Sequence, residues 1–595
     1  MSREVYMRVC IIDSGYNKTH SHFENVTIAS EKTIALFNDC IHIKDGAEDR
    51  IGHGTAILSI FNRMCKNAEY HIIKIFEDSY ECDEDLLINA LEYVYDNISC
   101  DFINLSLGIT QCANTKKLNE ICSKLVLRNT IIVSAFDNNG AVSYPAAFYD
   151  VIGVDIDVLC KTSDKFISVK NSIVNALGYG NTQRVAWVNP EYMFVSGASF
   201  ANAYITSILV NARIDSLNDA LIYLYDNSFL KIDYPEHPKE QNGFKIIKAI
   251  ALPFNKEIKS LLDNYSMIDF ELSNIFDYPK LGNVGGKFRS LDNLYSIEIK
   301  NICDIDWGCD FDTVILGHMN EINNIIGYDL RREIVKLCIQ NNKNIFCYDY
   351  LNYDFMADVS QKIYTPEKKY CNHNFGKLYE ISTPVLGIMG TSSRQGKFTL
   401  QIILRNMFIQ NNYHVGQIGT EPSSLLFGMD DVFHFGFDSN FNLSSNQFVA
   451  SMNYSLKELQ DKDVDIIISG CQSNTIPYTV NNIRYLNFRQ SEYLIGLNPD
   501  CCILCINPYD DIKYITRTMN YIESSVECKV IALVIYPMDA PNMWASNYRK
   551  KMDETELFNI KNSLADNFRI PCFILGEQRH MGELFETVIN FFSNE

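Results

Sequence analysis

Short apolar runs alternate with amphipathic segments from Met7 to about Arg213. Met7–Ile12, Glu69–Ile75, Phe102–Leu107, Thr130–Ser134 and Val151–Val154 are short, almost continuously apolar, and read as buried strands. Gly54–Met64, Asp85–Asn97 and Ala113–Arg128 carry apolar residues at helical spacing, Asn218–Asp226 reads as a final short helix, and another is expected over Phe200–Val210. Strands alternating with helices predict an α/β domain, a parallel sheet with helices on both faces. The polar stretch Tyr234-Pro235-Glu236-His237-Pro238 through Gly243 marks a linker, so the first domain is expected over 1–232 and the linker over 233–244. A second α/β rhythm follows in strand Lys245–Leu252, helix Lys256–Leu262, strand Thr313–Gly317, helix Leu330–Asn341 and strand Asn344–Tyr348. After the polar break Thr365–Lys369, a third unit has strands Thr383–Met389, Val464–Ser469, Cys501–Ile506 and Val530–Ile535. The boundaries expected are 245–380 and 381–595.

Bulk composition narrows the partners more than the fold. A chain of 595 residues is too long for one hydrophobic core. A formal charge of −21 argues against nucleic acid and anionic membrane, both of which need a basic face. The 19 cysteines are scattered through apolar runs and read as reduced core residues. Cys501-Cys502-Ile503-Leu504-Cys505 holds a Cys-x-x-Cys spacing inside a buried strand with no second pair nearby, so no metal is expected there. Met1–Tyr6 lacks a secretory pattern and no run of 18 apolar residues occurs, which makes the cytoplasm the expected location.

Four segments far apart in the chain carry complementary chemistry. They are Ile11-Ile12-Asp13-Ser14-Gly15, Gly52-His53-Gly54-Thr55, Ser134-Ala135-Phe136-Asp137-Asn138-Asn139-Gly140 and Gly197-Ala198-Ser199-Phe200-Ala201. Each lies at a strand end or a helix start. A serine hydroxyl is a weak nucleophile near neutral pH and needs a neighbouring base. Histidine, with an ordinary pKa of about 6.5, suits that task, and a carboxylate on its far ring nitrogen fixes the tautomer. Singly, Asp13-Ser14-Gly15 and the Asn138 loop read as turns and His53 as a helix-start residue. Their order, acid, base, oxyanion donor and nucleophile, is what those separate readings leave unexplained.

Residues 7 to about 210 resemble a subtilisin-family (S8-like) serine peptidase domain. Ile12-Asp13-Ser14-Gly15 with His20, Gly52-His53-Gly54-Thr55 and Gly197-Ala198-Ser199-Phe200-Ala201 carry the likeness, with Tyr144-Pro145-Ala146 and Val151-Ile152-Gly153-Val154 following the same pattern. The resemblance implies Ser199 as nucleophile, His53 as general base and then acid, Asp13 as orienting carboxylate, and Asn138 as oxyanion donor. It also implies that Ser106, Leu107 and Gly108 bind an extended peptide. Proteolysis then requires no cofactor and no metal. Three departures stand out: Ala198 where the family has threonine, Asn202 and Ala203 near its usual proline, and Asp137 in place of a glycine.

The carboxy-terminal half reads as Rossmann-like over 245–380 and as a degenerate P-loop NTPase-like domain over 381–595. Val385 to Thr399 has the order strand, glycine loop, helix, in which Gly390, Gly396, Lys397 and Thr399 would form a cofactor site. The loop has one residue more than G-x-x-x-x-G-K-[ST], and Phe398 stands where a metal-holding hydroxyl belongs. The longer spacing resembles dethiobiotin-synthetase-like NTPases, with Ser469 where relatives carry a carboxylate. Two readings stay open: an ATP/Mg site, or a retained loop that binds peptide or packs. Tyr278-Pro279-Lys280-Leu281-Gly282, Gly285-Gly286-Lys287, Ile418-Gly419-Thr420-Glu421 and Leu425-Leu426-Phe427-Gly428 resemble proteins of peptide maturation systems. That likeness implies a precursor peptide as substrate, cut to release its leader during maturation of a ribosomally synthesised, modified peptide, with other peptide-modifying enzymes as partners. The alternatives are an inactive protease-like scaffold that holds the precursor, and an ATP-dependent enzyme with an accessory protease domain.

Overall fold

The apolar runs of the amino-terminal third become the centre of one sheet. The computed structural model describes residues 6–37, 40–79, 83–234, 245–290, 294–356, 360, 362–366, 374–433, 443–481, 486–539 and 550–593. Two units divide the chain: Met1–His237 with Asn372–Ser382, and Pro238–Cys371 with Thr383–Glu595.

In the first unit the strands are β1 (Met7–Asp13), β2 (Thr27–Phe37), β3 (Cys40–Asp45), β4 (Ala68–Lys74), β5 (Phe102–Leu105), β6 (Ile131–Ala135), β7 (Ile152–Ile156), β8 (Ile167–Lys170) and β9 (Ala176–Gly178), then the hairpin β10 (Gln183–Ala186) and β11 (Tyr192–Val195), then β12 (Leu230–Asp233). Ten of them form a sheet in the order β12-β8-β9-β7-β6-β5-β1-β4-β2-β3, whose central strands are parallel. The helices are α1 (His53–Met64), α2 (Glu84–Asn97), α3 (Thr115–Val126), α4 (Ala198–Ala212) and α5 (Leu217–Asn227). Strand β1 explains why its run is apolar throughout. Val9 and Ile11 face a core with α1, α4 and α5, whereas Cys10 and Ile12 face α2 and α3 on the other side.

The sequence pattern missed the edge. Along β2 and β3 only Ile34 is buried, so polar residues on both faces mask two strands that pair antiparallel with each other. Of the predicted bounds that move, two lie at the site. The strand expected to Leu107 ends at Leu105, and the helix expected from Phe200 begins at Ala198.

The second unit holds two seven-stranded sheets and a two-stranded ribbon. The first has β13 (Lys248–Leu252), β14 (Glu271–Asp277), β15 (Lys287–Arg289), β16 (Ser296–Asn301), β17 (Thr313–Leu316), β18 (Asn344–Cys347) and β19 (Ile363–Tyr364), ordered β15-β16-β14-β13-β17-β18-β19 and parallel except at β15. Its helices are α6 (Lys256–Asp263), α7 (Asn320–Ile326) and α8 (Leu330–Gln340). The other has β20 (Val385–Gly390), β21 (Val415–Gly419), β22 (Asp431–Val432), β23 (Ile466–Gly470), β24 (Cys501–Ile506) and β25 (Lys529–Ile535), then, after a separate antiparallel ribbon of β26 (Met538–Asp539) and β27 (Lys550–Lys551), β28 (Cys572–Ile574). Its seven strands run parallel in the order β22-β21-β23-β20-β24-β25-β28, with α9 (Lys397–Gln410) after β20. One apolar cluster joins Ile258 and Leu261 of α6 to Phe398 and Ile402 of α9, so the two sheets share a core.

The chain passes from the first unit to the second at 382, two residues past the boundary expected at 380. Residues 374–380, placed by sequence at the end of the middle domain, belong to the first unit. Lys377 pairs with Asp155 at 2.8 Å, its ammonium lies over the ring of Phe136, and the Leu378 carbonyl accepts from Val142 N–H. Beyond Tyr234, the expected linker lies outside the described residues.

Candidate active site

Strand order reverses direction at β1, with β4 on one side and β5 on the other, which opens a crevice at the carboxyl ends of the strands. Asp13 is the last residue of β1 and is fully buried. Its Oδ1 accepts from the Ser14 backbone N–H at 2.7 Å and from His53 Nδ1 at 2.8 Å, while Oδ2 lies 3.0 Å from the same nitrogen. His53 opens α1 behind Gly52. Its orientation is set by a residue that sequence reasoning passed over. Buried Asp49 accepts from the backbone N–H groups of Ile51, Gly52 and Thr55 and from the Thr55 hydroxyl. An aspartate three residues before the glycine of Gly52-His53-Gly54-Thr55, ahead of a helix start, was the signal available for it. Gly54 must lack a side chain, because a Cβ there would stand 2.2 Å from the Gly15 carbonyl oxygen. The Gly54 N–H donates to Ser14 Oγ at 2.8 Å, so the acid and base turns are stitched together.

Burial works against the His53 imidazolium, but the charge and hydrogen bond of Asp13 and the charge of Asp49 outweigh it. The pKa of His53 is raised above its ordinary value.

Ser199 is the second residue of α4, where the backbone N–H has no acceptor within the helix. Its Oγ donates to the Ser106 carbonyl at 2.9 Å, and Ser106 Oγ donates back to the Ser199 carbonyl at 3.0 Å. Phe200 packs against the imidazole of His53, ring centroids 5.6 Å apart, which brings the start of α4 to the Asp13–His53 pair. Asn202, one of the departures from the family pattern, is fully buried and braces the helix from below. Its Nδ2 donates to Asn104 Oδ1 at 3.0 Å and to the Leu105 carbonyl at 3.1 Å, and Thr206 Oγ1 joins Asn104 at 3.1 Å. Asn138 Oδ1 accepts from the N–H of Ala198, the residue before Ser199, at 2.9 Å, which leaves the amino group as the side chain's donor. Leu107 and Gly108 extend the loop from Ser106, and a Cβ at Gly108 would meet Ser143 Oγ at 2.6 Å. His20, also in the first motif, lies elsewhere. Its Nε2 is 2.9 Å from the Glu191 carbonyl, and its Nδ1 caps the turn Ser21–Phe23.

Residues 6–219 match the Subtilase family, Peptidase_S8. The amino-terminal unit carries a subtilase domain. Over 162 residues the chain is 28% identical to the membrane-bound transcription factor site-1 protease of Homo sapiens, and equally to that of Mus musculus, covering 25% of this chain and 14% of the relative. The chain thus spans a small part of the curated relatives that its subtilase domain matches. Among solved structures, a cold adapted subtilisin-like serine proteinase is 20% identical and covers 37% of this chain and 81% of its own, with a TM-score of 0.31. A DUF1611 family protein from Anabaena variabilis is 12% identical over 58% of this chain and 100% of that one, TM-score 0.44. The nisin leader peptidase NisP from Lactococcus lactis is 16% identical over 37% and 82%, TM-score 0.31. Among the described residues, no helix is long and apolar enough to cross a membrane.

The second candidate site lies outside the subtilase domain. Gly396, Lys397 and Thr399 line one cavity, but Thr399 Oγ1 is engaged by Asn264 Oδ1 at 3.1 Å. Gly390 lies beneath the loop, its N–H on Thr475 Oγ1. Lys397 Nζ donates to the Ser392 and Ser473 carbonyls at 2.7 and 2.8 Å. The residues present do not fit an ATP/Mg site. Phe398, at the position after the lysine, packs against Phe427, and Ser469 gives its hydroxyl to the Ile418 carbonyl at 2.7 Å.

Proposed function

We propose that the subtilase domain is a serine endopeptidase acting through Asp13, His53 and Ser199. The observation that carries this reading is the buried carboxylate of Asp13 within 2.8–3.0 Å of His53 Nδ1, with Phe200, the residue after the serine, packed against the imidazole. Held this way, Nδ1 carries the proton and Nε2 presents its lone pair. Ser199 has one O–H to donate, so the proton re-aims from the Ser106 carbonyl to Nε2 as substrate enters. Oγ then bonds the scissile carbonyl carbon, His53 takes the proton, and the oxyanion meets Asn138 Nδ2 and the Ser199 N–H. His53 returns the proton to the leaving amine as the C–N bond breaks, and water releases the acyl group by the same route.

The substrate we assign is a precursor peptide, cut between leader and core in the cytoplasm. Support comes from the resemblance of the second unit to peptide-maturation proteins. An extended peptide would lie along Ser106–Gly108 by strand addition, beyond the end of β5. The test is incubation of purified protein with candidate precursors and mapping of products by mass spectrometry, together with fluorophosphonate labelling. Wild type is expected to label at Ser199 and to release a leader, and Ser199→Ala to bind precursor without cutting it. Cleavage that persists in Ser199→Ala defeats the assignment.

A further inference from the structure

The cavity beside α9 has a volume of about 640 Å³, within the range of small-molecule sites, and both sheets of the second unit build it. Seven Lys and Arg side chains line it against two carboxylates, Asp263 and Glu421. Asp263 is already paired with Lys259. From the α9 sheet come Arg394, Lys397 and the amino end of the helix. From the other sheet come Lys256 at the start of α6, and Lys287 and Arg289 on β15. Residues far apart in sequence, on two sheets, thus aim one sign of charge into one space. Lys287 and Lys551 also have carboxylate partners, Glu298 and Glu554, and the excess of positive charge that remains around the cavity favours an anion.

Two buried groups point to a ligand independently of the surface cations. Lys397 is 7% exposed, and its ammonium is held by two carbonyls; among the described residues no carboxylate pairs with it. A buried cation without a counter-ion is costly, and an anionic ligand removes that cost. Gln401 is 1% exposed and lines the same cavity. Its Nε2 donates to the Lys397 carbonyl, whereas its Oε1 has no donor. An orphaned acceptor beside a cation cluster suits a ligand that is anionic at one end and offers an N–H or O–H elsewhere.

We propose that this cavity is a metal-independent site for a pyrophosphate-bearing small molecule of nucleoside diphosphate size, clamped by Lys397 and Arg394 from one sheet and by Lys256, Lys287 and Arg289 from the other. The cations take the charge-neutralising role for which Phe398 and Ser469 leave no metal. The site binds and does not hydrolyse, and it is independent of the protease reading.

The full-length protein is titrated calorimetrically with ADP and with inorganic pyrophosphate, in EDTA and again with magnesium. Both ligands are expected to bind at one site, pyrophosphate to displace ADP, and magnesium to change affinity by less than threefold. Lys287→Gln/Arg289→Gln, on the exposed face of an edge strand, should weaken ADP at least tenfold with its melting curve unchanged, and Lys397→Met should weaken ADP at least tenfold as well. Absence of binding at millimolar ligand, a tenfold or greater need for magnesium, or failure of pyrophosphate to compete overturns the proposal. Unchanged affinity in the β15 double variant also overturns it, since the loop alone would then be the site. None of these readouts depends on peptide cleavage.

Discussion

Replacing Asp13 by Asn tests the polarity of the acid–base pair with almost no change of shape. Asp13 Oδ1 sits 2.7 Å from the Ser14 N–H, a donor that pins an oxygen at that position. The asparagine amino group must therefore take the Oδ2 position, 3.0 Å from His53 Nδ1. There it presents a donor that competes with Oδ1, still 2.8 Å from Nδ1, and the tautomer it favours makes Nδ1 the acceptor and moves the imidazole proton to Nε2. An imidazole in that tautomer cannot accept the Ser199 proton. Loss of this arrangement in a serine protease triad costs about four decades of kcat, roughly 5.5 kcal/mol of barrier. The pH dependence moves as well. In wild type His53 titrates above its ordinary value, so activity should rise with pH along a limb centred above about 6.5. With the Asp13 charge gone and burial unchanged, the limb should shift to lower pH. The same pair stabilises the fold below the unfolded histidine pKa, a contribution lost as pH rises through the raised folded value. The assay is the second-order rate of fluorophosphonate labelling at Ser199 from pH 5 to 9. A rate for Asp13→Asn within tenfold of wild type, on an unmoved limb, refutes the mechanism.

Asn138→Ala removes the side-chain donor to the oxyanion and should lower kcat by about 10²–10³ on a peptide substrate, with KM changed far less. Gly54→Ala places a methyl group where the Gly15 carbonyl lies, at 2.2 Å; it should separate the acid and base turns and abolish labelling while far-UV circular dichroism stays native.

The central strands and the site residues were legible in the sequence for one physical reason. A strand buried on both faces must be apolar throughout, and its ends must carry the polar groups that the crevice uses. Hence Asp13 could be placed at the end of β1, and His53 and Ser199 immediately before the predicted helices that became α1 and α4. The edge strands β2 and β3, half solvated, carry no such pattern, and the bracing by Asp49 and Asn202 links residues whose spacing is unremarkable.

What the order of residues determined by itself was therefore the local repertoire: which segments are strands or helices, and which side chains could serve as acid, base, donor and nucleophile. Tertiary structure decided the rest. It turned Thr399 toward Asn264, sent Lys377 to Asp155 across more than two hundred residues of chain, and gathered Lys256, Lys287 and Arg289 around Lys397. Such pairings depend on which faces the sheets bury together, and no local periodicity encodes that.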